Sequence, residues 1–133
     1  MNGTDLHLWC NVCEAFVNES AKHCGMCNRC CLDFDHHCNW LNNCVGEHNY
    51  NDFYSLIKWF LALLLYYQGI AAFVAFEMTV FNCYNWLFYV AMFFIIFNFV
   101  AIGFVAQLIK LHRWLQDHGV RTFDLVIYER LVK

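Results

Sequence analysis

The chain has 133 residues, 61% hydrophobic and 20% aromatic, with 14% charged, no proline and a formal net charge of −3. This is far more apolar than an ordinary soluble domain and points to a membrane protein with a small polar part. That part is residues 1–52, which hold eight of the nine cysteines, five of the seven histidines and seven of the eleven acids, against Lys22 and Arg29 alone. The balance excludes a nucleic-acid-binding finger, which needs a basic face for phosphates.

The front segment comes first in chain order and is too short to hold itself together with a core, because domains below roughly 70 residues need staples. An odd number of cysteines suits a secreted disulfide scaffold poorly, and the chain does not open in the manner of a signal peptide. Reduced, cytosolic thiols are expected, with metal as the staple. The spacing reads Cys10-x2-Cys13, His23-Cys24-x2-Cys27-x2-Cys30-Cys31, Asp35-His36-His37-Cys38 and Cys44. Two thiolates three positions apart can close on one tetrahedral ion, so the repeated C-x2-C pairs predict zinc. Eight cysteines with His23, His36 and His37 offer more ligands than two closed tetrahedral sites require. Spacing leaves the allocation open, although the adjacent Cys30 and Cys31 do not suit the same ion.

Next come two apolar runs. Trp59 to Phe76 is uncharged over 18 residues, and with the preceding FYSLIK it reaches 24, enough for a helix across a roughly 30 Å hydrocarbon layer. Met78 to Ile109 is again uncharged and predicts a second span over about 84–109, joined to the first through EMTVFNCYN. Neither run has a polar face, which argues against a buried soluble hairpin. Lys22, Arg29 and Lys58 precede or begin the first span, Lys110, Arg113, Arg121, Arg130 and Lys133 follow the second, and the connection has no cation. By the positive-inside rule both ends are cytosolic, so the sequons at Asn2 and Asn18 are chance matches. Gln68, Asn98 and Gln107 lie within the apolar runs, where an amide faces another helix or a cavity or satisfies local backbone. The tail TFDLVIYERLVK reads as a short helix lying on the membrane, with Arg130 and Lys133 at the interface.

The fold expected is an α-helical membrane protein. A cysteine-rich two-zinc domain with short β-hairpins and loops occupies 1–52. A two-helix transmembrane hairpin follows over 53–109, with spans at about 53–76 and 84–109, and a cytosolic C-terminal segment covers 110–133.

The run from Cys10 to Phe53, with its KHC, DHHC, NNCVG and NYNDF segments, resembles the cysteine-rich domain of the DHHC protein S-acyltransferases. The two apolar runs match that family's third and fourth membrane helices. The resemblance implies one zinc on Cys10, Cys13, His23 and Cys30, and a second on Cys24, Cys27, His37 and Cys44. It leaves Cys31, His36 and Cys38 unbound and makes Cys38 the acyl-accepting nucleophile. It also implies a fatty acyl-coenzyme A such as palmitoyl-CoA as donor and substrate proteins with cytosolic cysteines as acceptors. The location implied is a multi-pass integral membrane protein of endomembranes, Golgi or ER. For the coenzyme phosphates the candidate cations are Lys110, Arg113 and Arg121.

Local chemistry agrees with this allocation. In an extended segment His36 and Cys38 share one face and His37 points to the other. A metal-bound His37 has committed its lone pair, whereas His36 can activate the Cys38 thiol, with Asp35 fixing the ring as the acid does in a triad. Strict alternation would put Asp35 on the wrong side, so a bend at residues 35–36 is required. Cys31 reads as a small packing residue or an acylatable bystander rather than a site. The sequence departs from the family at Asn39, where proline is usual, and at Arg121–Asp124, RTFD in place of Thr-Thr-x-Glu. The family also carries two membrane helices ahead of this domain, so the expectation is a short product, a fragment, or a chain dependent on a membrane-helix partner or oligomer. The rival readings are a non-catalytic zinc-binding membrane adaptor and a thiol redox protein using its C-x2-C pairs.

Overall fold

The computed structural model describes residues 7–82 and 84–133; Asn2 and Cys83 lie outside the described residues. The chain forms two compact units, one running up to Phe53 and including Trp114–Lys133, the other Tyr54–Arg113.

The first unit contains three antiparallel hairpins: β1 (His7–Cys10) with β2 (Ala15–Asn18), β3 (Lys22–Cys24) with β4 (Arg29–Cys31), and β5 (His36–Cys38) with β6 (Asn43–Val45). Each loop ends on a residue in the left-handed region, at φ 50° for Glu14, 48° for Asn28 and 47° for Asn42. Asparagine tolerates that conformation better than most residues with a Cβ, which suits two of the three loops. Strands of three or four residues make too few ladder bonds for a hairpin to stand alone in water. The hairpins therefore depend on what links them.

The C-terminal part of this unit lies along the segment that leads into β5. Arg121 pairs with Asp33 at 2.7 Å, and Phe123 meets Phe34 edge-on with ring centroids 5.7 Å apart. The Thr122 backbone N–H and hydroxyl both donate to the Asp35 carboxylate, at 2.9 and 2.8 Å. Beyond them Thr122–Leu131 forms helix α3, the short helix expected in the tail. After β6 the chain turns tightly at Gly46, where an added Cβ would lie 2.6 Å from both the Cys31 Sγ and the Leu32 carbonyl oxygen. The backbone oxygen cannot give way cheaply. Gly46→Ala is expected to destabilise the hairpin unit by about 1–3 kcal/mol, seen as a lower denaturant midpoint for zinc release.

Two long helices follow, α1 (Tyr50–Val80) and α2 (Trp86–His118). At 1.5 Å per residue they measure about 46 and 50 Å, so each exceeds a roughly 30 Å hydrocarbon layer. Both are long and apolar enough to cross a membrane, and almost none of their apolar windows is buried within the protein. In the second unit the less exposed positions recur at alternating steps of three and four. On α1 they are Leu61, Leu64, Gln68, Ala71, Ala75 and Met78, and on α2 Ala91, Ile95, Asn98, Ile102, Val105 and Ile109. This is the narrow seam of a helix pair. Gln68 and Asn98 lie on it: the Asn98 amide donates to the Gln68 side chain at 2.9 Å and to the Leu64 carbonyl at 3.0 Å. The two amides thus bridge the helices, and only Gln107 of the three faces outward.

The second helix continues nine residues past Ile109, through a polar stretch. Past Ile109 it meets no proline or glycine until Gly119, at φ 62°. There Gly119 N–H bonds the Gln116 carbonyl and Val120 N–H the Leu115 carbonyl, the paired bonds of a Schellman stop.

Candidate functional site

The hairpins bring the thiols and imidazoles into two groups, Cys10, Cys13, His23 and Cys30, and Cys24, Cys27, His37 and Cys44, with the ligand atoms of each within 4.8 Å of one another. His23 Nδ1 lies 3.8, 3.3 and 3.9 Å from the sulfurs of Cys10, Cys13 and Cys30. His37 Nδ1 lies 3.7, 3.4 and 3.9 Å from those of Cys24, Cys27 and Cys44. A tetrahedral zinc with ordinary Zn–S and Zn–N bonds has sulfur-to-nitrogen edges of about 3.6 Å. Donor chemistry and dimensions both fit, so each group could hold a zinc ion.

Charge makes the same demand. The Cys13 backbone N–H holds the Cys10 thiol down at about 7, so one thiolate forms readily. Burial and the neighbouring Cys10 and Cys13 then push Cys30 up to about 12, and burial with Cys27 and Cys24 raises Cys44. A central dication removes that repulsion and lets all three thiols ionise. In the second group the His37 Nε2 is buried with no hydrogen-bond partner among the described residues, while Nδ1 faces the three sulfurs.

The arrangement follows from a repeat that the C-x2-C reading missed. Cys10, Cys24 and Cys38 recur every 14 residues, as do Glu14, Asn28 and Asn42, the left-handed ends of the three loops. Each group takes the C-x2-C of one hairpin and the cross-strand His–Cys pair of the next, His23 opposite Cys30 and His37 opposite Cys44. Three hairpins offer two such junctions. The half-sites left at the ends of the array are filled differently. In the first hairpin Trp9 and Phe16 occupy the His and Cys positions and pack edge-on at 4.9 Å. In the third, Cys38 occupies the first position of the knuckle, and Leu41 stands where the second thiol would be. Asn51 and Lys58 fall where a further histidine and cysteine would have to be. Cys38 therefore has the setting of a knuckle cysteine without its co-ligands. Cys31 corresponds to Val17 and Val45 in the other repeats and is half-buried, in keeping with a packing position.

The surroundings of Cys38 are built on the third hairpin. Register pairs His36 with Val45, His37 with Cys44 and Cys38 with Asn43, so His36 and Cys38 lie on one face of β5 and His37 on the other. Asp35 precedes the strand, and its carboxylate bonds the His36 Nδ1 at 2.7 Å. This is the contact for which the sequence required a bend. Asp35 is only 3% exposed. Burial alone would raise its pKa, but the hydrogen bonds from His36 and Thr122 outweigh it and hold the carboxyl below the usual range. An ionised Asp35 accepting Nδ1–H leaves the ring's lone pair on Nε2, the tautomer a base needs. Cys38 is buried at 9% exposure. The turn after it closes without proline, the Asn39 carbonyl accepting the Asn42 N–H at 3.4 Å, and raises Trp40 to 98% exposure.

Within the altered RTFD motif, Thr122 supplies two bonds to Asp35. Sequence could not establish that, because the partners are 87 residues apart. Of the three cations considered for coenzyme phosphates, Arg121 is engaged with Asp33, and Lys110 and Arg113 belong to the helical unit.

Residues 3–127 match the family model described as DHHC palmitoyltransferase. The palmitoyltransferase SWF1 of Kluyveromyces lactis is 35% identical over 102 residues, covering 77% of this chain and 31% of that protein. The human palmitoyltransferase ZDHHC8 is 40% identical over 65 residues, covering 49% of this chain and 8% of that protein. A putative ZDHHC-type palmitoyltransferase 1 of Dictyostelium discoideum is 49% identical over 45 residues, covering 34% of this chain and 10% of that protein. The chain thus spans less than a third of the length of the relatives it matches. With its match to the model extending over both the hairpin array and the two long helices, the chain belongs to the DHHC palmitoyltransferase family.

Proposed function

We propose that this protein is a protein-cysteine S-acyltransferase that carries a fatty acyl group on Cys38. The observation that carries the reading is buried Asp35 bonded to half-buried His36 at 2.7 Å, with the Cys38 thiol two positions on and on the same strand face. His36 takes the Cys38 proton as the sulfur attacks the carbonyl carbon of a fatty acyl-coenzyme A such as palmitoyl-CoA. The thioester bond to coenzyme A breaks, and the departing thiolate recovers the proton. In the second half the thiol of a substrate-protein cysteine loses its proton to His36 and attacks the Cys38 thioester, restoring the free thiol. Both halves exchange one thioester for another, so activation and positioning govern the rate rather than driving force.

Cys10, Cys13, His23 and Cys30, with Cys24, Cys27, His37 and Cys44, hold two structural zinc ions. Each site is closed by four protein ligands, so the metal's contribution is to fold the array. The two apolar helices span the membrane, with the cysteine-rich domain at 1–52 and the segment 110–133 on the cytosolic side, in an endomembrane such as Golgi or ER. Membrane lipid and further membrane helices shelter the acyl chain, each buried methylene contributing about 0.8 kcal/mol.

Purified protein in lipid, incubated with labelled palmitoyl-CoA, is expected to gain hydroxylamine-sensitive label. Cys38→Ala is expected to lose it entirely while retaining its zinc. A fully zinc-loaded wild-type protein that takes no label would leave the non-catalytic adaptor as the function of this chain.

A further inference from the structure

The Asn49 side chain ties the third hairpin to the start of α1. Asn49 donates its amide to the Cys44 carbonyl at 2.9 Å and accepts the Gly46 N–H at 2.9 Å, so it grips the backbone on both sides of Val45. Its own carbonyl meanwhile accepts the Phe53 N–H at 2.9 Å, opening the helix. Val45, 1% exposed, uses its carbonyl to accept the Asp35 N–H at 2.9 Å. From Asp35 the line runs through the carboxylate to His36 Nδ1 at 2.7 Å. The neighbouring backbone closes the frame, with the Leu32 carbonyl accepting the Glu47 N–H at 3.1 Å.

We infer that Asn49 is a positioning residue for the acyl-transfer dyad, holding Val45 so that its carbonyl fixes where the Asp35 carboxylate presents itself to His36. The inference rests on the acyltransferase reading only for its rate measurement. Thr122 bonds the Asp35 carboxylate directly, and Asn49 bears on the Asp35 backbone through Val45. Asparagine suits the place because one terminal group must give a hydrogen bond to a carbonyl and take one from an N–H. Alanine does neither, and aspartate keeps only the acceptor.

The test compares full-length wild type, Asn49→Ala, Asp35→Asn and the double variant in lipid. Zinc content, thioester formation on Cys38, and the proton resonance of His36 Nδ1–H are measured for each. The expected result for Asn49→Ala is about two zinc ions bound, a loading rate lower by about tenfold, and a weakened or faster-exchanging His36 Nδ1–H signal. In the Asp35→Asn background the same change is expected to add little, because a residue acting through Asp35 has nothing left to position. Rates that multiply independently in the double variant, or an Asn49→Ala protein that loads as wild type does, overturn the inference. If Asn49→Ala loses zinc, Asn49→Asp decides in its place, with the same zinc content as wild type and a smaller fall in rate expected. If wild type itself takes no acyl group, the acyltransferase reading fails while the clamp is still tested by the His36 signal; a signal unchanged by Asn49→Ala then rules the clamp out.

Discussion

Replacing Cys44 by alanine is expected to cost the protein its second zinc ion and the order of the third hairpin together. Cys44 is 3% exposed, faces His37 directly across β5 and β6 and completes the group formed with Cys24 and Cys27. Structural zinc sites of this kind bind with about 10–16 kcal/mol, more than the whole stability of a small domain. Three-residue strands supply no comparable alternative. The measured outcome should be a fall from about two zinc ions to about one, together with loss of protection of the β5 and β6 amides from hydrogen exchange. Cluster one shares no ligand with cluster two, so Cys10, Cys13, His23 and Cys30 should retain their ion. Retention of both ions by Cys44→Ala would refute the ligand assignment for the second site.

Leu41→Cys is expected to convert the third hairpin into a metal knuckle and to silence Cys38. In the repeat, Leu41 occupies the place of Cys13 and Cys27, three residues after the first thiol and in a loop ending on the same left-handed backbone. A second thiol there completes the C-x2-C geometry that suits a soft ion. Titration with cadmium should reveal one additional thiolate-bound ion, visible by its ultraviolet charge-transfer band. Acyl loading of this variant should fall by about tenfold or more in added cadmium and recover with a chelator, because a thiolate bound to metal is a poor nucleophile. Wild type under the same conditions should bind no extra ion at this hairpin. An L41C protein that loads acyl groups normally and binds no further cadmium would show that the register of the repeat does not extend to Cys38.

The two variants bear on one question, namely what would separate a metal-binding cysteine from the proposed acyl carrier in an array of similar hairpins. Cys10 and Cys24 each find a neighbouring hairpin that brings a histidine and a cysteine. After the hairpin of Cys38 the chain enters α1 instead, where the next positions of the repeat are Asn51 and Lys58. The last hairpin of such an array therefore has no following hairpin to complete a ligand set at Cys38, and His36, bonded to Asp35, shares its strand face. Terminal repeats are usually altered because they lack a neighbour on one side, and here the alteration supports the proposed chemistry.

The sequence by itself determined the two apolar helices, the cysteine-rich front and the presence of zinc-type ligand groups, because these depend on composition and on spacings of a few residues. Uncharged runs long enough to cross a bilayer are legible without knowing what they pack against, and C-x2-C pairs close within one loop. The seam is different. Gln68 and Asn98 were recognisable as amides in apolar surroundings, but only the packed pair decided that they meet each other, since 30 residues separate them. Likewise, which histidine serves which cysteines depends on how one hairpin stacks on the next, a relation set by the 14-residue period rather than by any local pattern. The Asp35–His36 contact needed a break in strand alternation, and the hold of Thr122 on Asp35 needed the chain to return from the far end of α2. A hydrogen bond such as that of Thr122 to Asp35, 87 residues apart, forms only once the intervening chain has folded, and for that reason the tertiary structure alone decided it.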